Sequence, residues 1–220
     1  TIRIDPDYAD VHNNLGIAFV KSGKYKEAIE SYKQAIRIDP DYAKAHNNLG
    51  VAFVKSGKLK EAIESYKQAL RINSDFADAH YNLGVAFVKS GMHKEAIDAF
   101  KQVIRINPDD APAHYNLGVA FVKSGMHKEA TEAYKQALRI NPDDAQTHYN
   151  LGVAYGASGM DEEATDAFKQ VIRINPDNAP AHYNLGYAYV LSNDRDSALE
   201  QYKILKSINT ELANRLFNLI

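Results

Sequence analysis

The chain has 220 residues, 45% of them hydrophobic and 25% charged, with a formal net charge of −2. Such a composition describes a folding chain rather than a disordered one. Near-neutral charge removes any general attraction to nucleic acid or to an anionic membrane, and no apolar run approaches the ~20 residues that a spanning helix needs. With no cysteine there are no disulfides and no thiolate metal sites.

In chain order, Ile2-Arg3-Ile4-Asp5-Pro6 copies Ile36-Arg37-Ile38-Asp39-Pro40, the end of a helix, so residues 1–8 are expected to be the tail of a preceding unit's second helix. From Ala9 a 34-residue unit runs six times, over 9–42, 43–76, 77–110, 111–144, 145–178 and 179–212. A Leu-Gly pair marks each unit, at Leu15-Gly16, Leu49-Gly50, Leu83-Gly84, Leu117-Gly118, Leu151-Gly152 and Leu185-Gly186. An aromatic stands three residues after each of these glycines, an Ala nine further on and a second aromatic four beyond that, as in Phe87, Ala96 and Phe100.

The spacing predicts paired helices near 9–22 and 25–38, repeated at the same period. In the third unit Ala79, Leu83, Ala86 and Phe87 form one apolar face, and Ala96, Phe100 and Val103 form another. Ser90-Gly91 breaks the chain between the two helices. Pro108 ends the unit, and Asp109 or Asp110 is placed to cap the next helix. One such hairpin cannot bury its apolar face alone, so neighbours must stack into a solenoid. Residues 213–220 complete a capping helix that begins near Thr210 and carries Leu212, Leu216, Leu219 and Ile220 roughly on one face.

This pattern resembles the tetratricopeptide repeat family over essentially the whole chain. The resemblance implies an all-α, right-handed superhelical solenoid of antiparallel helix pairs, with first helices on its concave face. His12, His46, His80, His114, His148 and His182 occupy the family's usual Trp site, and Ser74 and Thr210 replace the closing Pro.

The six histidines do not make a metal ladder. Packed helices approach to roughly 8–10 Å, whereas zinc–nitrogen bonds are about 2 Å, so each His is expected to pack with a polar edge. His93 and His127, which open second helices, are expected to pack likewise. Lys-Ser-Gly recurs as a turn and is not a phosphate loop. Lys94 and Asp98 read as an i, i+4 pair on an outer face. No residue is assigned to catalysis, metal or cofactor binding.

The remaining signal is the first-helix face that the core does not use. Asn14, Asn48, Asn82, Asn116, Asn150 and Asn184 precede every Leu-Gly pair. Beside them run Val51, Val85, Val119 and Val153, with Ile17 and Tyr187 in the outer units. Tyr81, Tyr115, Tyr149 and Tyr183 stand where the first two units carry Asn13 and Asn47. Lys21, Lys55, Lys89 and Lys123 form a basic row that stops at Ala157 and Leu191.

An Asn amide both donates and accepts, so the row suits the backbone of an extended peptide, or else bonds within the stack. It resembles the asparagine ladder in the repeat superhelix of O-linked N-acetylglucosamine transferase, which implies peptide-backbone binding. That enzyme's catalytic region has no counterpart here. The basic neighbours required for carboxylate-clamp binding of chaperone tails are missing.

The leading expectation is a scaffold binding an extended or helical peptide of a protein partner. The alternatives are head-to-tail self-assembly through apolar ends and a regulatory arm of a larger enzyme. Nucleic acid and membrane insertion are not expected.

Overall fold

The computed structural model describes residues 6–220. The described residues form thirteen α-helices. Six antiparallel pairs come first: α1 Pro6–Lys21 with α2 Tyr25–Ile38, α3 Ala43–Lys55 with α4 Leu59–Ile72, and α5 Ala77–Lys89 with α6 His93–Ile106. Next are α7 Ala111–Lys123 with α8 His127–Ile140, α9 Ala145–Ala157 with α10 Asp161–Ile174, and α11 Ala179–Leu191 with α12 Arg195–Ile208. The last is α13, Thr210–Phe217. The fold is an all-α solenoid of helix pairs, divided after Ala113 into two compact units. Among the described residues no helix is long and apolar enough to cross a membrane.

The intra-pair core follows from one size match. A Cβ on Gly84 would stand 2.8 Å from Phe100 Cε1, and one on Gly50 would stand 2.5 Å from Tyr66 Cε1. In the first five pairs the glycine of the Leu-Gly step is therefore the seat of an aromatic ring from the second helix, whereas a Cβ on Gly186 would meet Leu216 of α13. Ala79, Leu83, Ala86 and Phe87 of α5 are buried with Ala96, Phe100 and Val103 of α6.

First helices end in a Schellman turn. Met92 N–H donates to Phe87 O at 2.9 Å and Gly91 N–H to Val88 O at 3.2 Å. The residue after the helix must then be left-handed, and Gly91 has φ 74°. The sixth turn places Asn193 there at φ 58°. Where the units meet, side-chain caps among the described residues appear in the later repeats. Asp110 Oδ1 accepts from Ala113 N–H at 2.8 Å, Asp144 accepts from Thr147 N–H and Asn178 from Ala181 N–H. Helices α3 and α5 have Tyr42 and Phe76 at the N-cap and no side-chain cap bond.

The structure corrects several expectations. Residues Pro6–Tyr8 belong to the first turn of α1, where Pro suits the N1 position; Thr1–Asp5, the rest of the expected helix tail, lie outside the described residues. Helix α13 ends at Phe217, so Leu219 is 44% exposed while Ala213 and Leu216 are buried. Within single helices the charge pairs of the described residues are i, i+3, such as Lys33–Glu30 at 3.1 Å, while Arg105–Asp75 and Arg173–Asp143 join separate segments, and Lys94–Asp98 is not among them. Finally, Val11 and Leu15 of α1 are 60% and 44% exposed, although their counterparts Ala45 and Leu49 are buried.

Candidate peptide-binding face

The asparagine row stands where first helices lie side by side, and its amides are engaged there. Asn48 Nδ2 donates to Asn13 Oδ1 at 2.9 Å, and Asn82 Nδ2 to Asn47 Oδ1 at 3.0 Å. In the second unit Asn150 Nδ2 donates to the Tyr115 hydroxyl and Asn184 Nδ2 to the Tyr149 hydroxyl, both at 3.1 Å. Each bond spans 35 residues, so it ties one first helix to the preceding one. Asn13 and Asn47 are buried. Their acceptor role was open to sequence reading through the Asn-Asn doublets at 13–14 and 47–48.

Tyr115 and Tyr149 share this duty as acceptors, and the Tyr row leans on neighbouring side chains. Tyr81 meets Phe100 edge-on, with ring centroids 5.8 Å apart, and Tyr149 meets Phe168 at the same distance. Tyr115 lies 6.0 Å from Tyr134. Tyr183 carries the Arg215 guanidinium 5.0 Å from its ring centroid. All four tyrosines are half-buried. Sequence spacing put them on the first helix but could not show that the rings of Tyr81, Tyr115 and Tyr149 lean onto the second-helix aromatic.

Around these ties the rows separate by exposure. Asn14 is exposed, whereas Asn48, Asn82, Asn116, Asn150 and Asn184 are half-buried. Val51, Val85 and Val119 are half-buried, while Val153 is 42% and Tyr187 43% exposed. Lys21, Lys55, Lys89 and Lys123 are exposed at the C-terminal ends of α1, α3, α5 and α7, where a cation complements the helix dipole.

The histidines act as turn staples. Nε2 lies 3.0 Å from Pro40 O in His46, 2.8 Å from Ser74 O in His80 and 2.9 Å from Pro142 O in His148. A carbonyl can only accept, so Nε2 carries the proton in each. Each ring thereby holds the loop six residues before it. Ser74 serves as well as proline because the bond uses a backbone carbonyl.

A family model, the cilia and flagella-associated protein 70 C-terminal domain of the tetratricopeptide class, matches residues 7–213. The chain belongs to this tetratricopeptide repeat family. Among solved structures similar to this repeat protein is MamA, with 29% identity, a TM-score of 0.73, and coverage of 79% of this chain and 95% of that one. Another is YrrB, described as a tetratricopeptide protein with an unusual peptide-binding site, at 28% identity and TM-score 0.76, covering 86% of this chain and 99% of that one. PilF of Pseudomonas aeruginosa, at 22% identity and TM-score 0.76, covers 96% of this chain and 97% of that one and shares the fold. No curated protein sequence matches the chain. As a tetratricopeptide protein the chain is, in general terms, a protein-interaction scaffold.

Proposed function

We propose that the chain holds an extended peptide segment of a protein partner along its first-helix faces, with the asparagine row reading peptide backbone. The observation that carries this is the half-used amide. Asn48, Asn82 and Asn184 each give one N–H to the neighbouring helix. Their second N–H and their amide oxygen remain for a ligand. An amide fixed by one bond loses less side-chain entropy on binding than a free one. Helices roughly 8–10 Å apart match about three residues of extended chain, and the peptide-binding site named for YrrB is consistent with this use of the fold.

The test is a peptide selected from a displayed random library, its footprint read by hydrogen exchange on the first helices. Asn82→Ala should weaken it by about 0.5–1.5 kcal/mol, the net worth of one hydrogen bond. Asn47→Ala, which removes only the stack acceptor and so only the presetting of the Asn82 amide, should weaken it by less. Equal losses in both variants would make the row scaffold alone.

A second reading, end-to-end self-association, rests on the exposed Val11 and Leu15 of α1 and on Phe217, which is 56% exposed. Light scattering that shows a monomer at high concentration would remove it.

A further inference from the structure

Helix α9 contains two glycines with opposite surroundings. Gly152 seats a ring in the usual way, with Phe168 Cε1 2.8 Å from where its Cβ would be. Around a Cβ on Gly156 there is nothing within 4 Å. Gly156 therefore weakens the last turn of α9 without a packing return, at a position where the other repeats carry Val20, Val54, Val88, Val122 and Val190.

The missing side chain opens a cavity of about 210 Å³ within the second unit, between α9, α10 and α11. Its walls are apolar: Val153 and Gly156 on one side, Tyr187 and Leu191 on the other, Phe168 beneath. Val153, Tyr187 and Leu191 are 42%, 43% and 57% exposed, so the mouth of the cavity presents apolar surface to solvent. Small-molecule sites are larger, at ~300–1,000 Å³, so the space suits a single side chain. Asn184, one of the half-used amides, also lines it and can take the adjoining backbone.

The charge of the rim is particular to this repeat. Asp161 lines the cavity, whereas the equivalent position holds Tyr25, Leu59, His93, His127 and Arg195 elsewhere. The basic row that would have balanced it is replaced by Ala157 and Leu191. Among the described residues Asp161 is in none of the ion pairs.

We infer that this cavity takes one large apolar side chain, aromatic or branched, from a peptide segment that carries Lys or Arg beside it, the cation pairing with Asp161. This deepens the peptide-scaffold reading and rests on it. It also divides the face by charge: Lys21, Lys55, Lys89 and Lys123 favour acidic ligand segments, and the α9–α11 end favours basic ones.

The probe is the capped peptide Gly-Lys-Phe-Lys-Gly, titrated into the amide-resolved NMR spectrum of the full chain. Saturable shifts are expected at Val153, Gly156, Tyr187 and Leu191. Gly-Lys-Ala-Lys-Gly should bind about tenfold or more weaker, because the buried ring is lost. Gly-Glu-Phe-Glu-Gly should bind several-fold weaker, by a margin that shrinks as salt rises. Gly156→Val restores the residue of the other repeats, and should abolish the shifts while keeping the helices. Asp161→Asn should erase the preference for Lys over Glu while sparing the preference for Phe over Ala. Unchanged affinity in Gly156→Val, or equal binding of the Lys and Glu peptides, overturns the inference. So do the same shifts produced by raising protein concentration without peptide, which would assign the cavity to a second copy. If this probe fails while library-selected peptides still protect first helices, only the present inference falls; if neither binds, the scaffold reading falls with it.

Discussion

Gly152→Ala and Gly156→Ala are the same chemical change four residues apart on α9, and the structure gives them opposite signs. Either methyl gains about 0.5–1 kcal/mol from better helix propensity, somewhat less at Gly156 because it lies in the last turn. At Gly152 the new Cβ meets Phe168 Cε1 at 2.8 Å, Cζ at 2.9 Å and Cδ1 at 3.1 Å. Phe168 is itself 5% exposed, so its ring has little room to withdraw. Overpacking of this kind costs about 1–3 kcal/mol, leaving Gly152→Ala up to about 2 kcal/mol less stable than the parent. Gly156→Ala meets nothing and keeps the propensity gain. Solenoid repeats couple mainly to their neighbours, so the effect should be read locally as well as globally. Urea unfolding followed by circular dichroism gives the global difference, and hydrogen exchange of α9 and α10 amides gives the local one. If Gly152→Ala is as stable as Gly156→Ala, the aromatic ring is not seated on the glycine and the account of the pair core is wrong.

Two further outcomes follow from the structure. Burial pushes the Tyr32 phenol up from 10.0 to about 12, and those of Tyr66 and Tyr134 higher still. Their neutral forms therefore stabilise the fold fully below pH 10, and that stability is lost as pH rises through the folded values; phenolate absorbance and helical ellipticity recorded together should show the last tyrosines ionising with helix loss. Asn193 holds a left-handed φ of 58° where five turns use glycine, so Asn193→Gly should raise stability by up to about 1 kcal/mol in thermal unfolding, and a drop would mean that its side chain supports the turn.

Much of this architecture is readable from the chain because the signals recur. A Gly three residues before an aromatic is weak once; at one period, six times, it gives the helix pairs, their turns and the packed faces. Reading fails where a single position is decided by contact. The pattern placed Tyr81 and Tyr149 on the first-helix face that the core does not use, but ring size lets them lean 5.8 Å from Phe100 and Phe168. Helix α13 stops at Phe217 and lies almost wholly outside the six repeated units, so periodicity offers no guide to its end. The cavity at Gly156 appeared in the sequence only as an interruption of a valine row; that it is empty rather than filled from elsewhere is a three-dimensional fact.

The asparagine row shows why scaffold and ligand readings of one residue need not compete. A primary amide has two N–H donors and an oxygen with two lone pairs. Within the stack one N–H of Asn82 is spent on Asn47 Oδ1, and one of Asn184 on the Tyr149 hydroxyl. The acceptor changes from amide to phenol between the two units, yet the donor stays the same. What the repeats hold fixed is thus an Asn whose orientation is set by its neighbour, while the neighbour itself is exchangeable. A purely structural tie would need only some donor and some acceptor across the helices. An amide held at one corner presents the other two in a fixed direction, repeat after repeat, and an extended peptide backbone offers its N–H and C=O groups at a matching interval. Under the proposed peptide reading, replacing Asn by Ala removes a helix tie and a ligand contact together. Only the comparison with loss of the acceptor alone separates the two contributions.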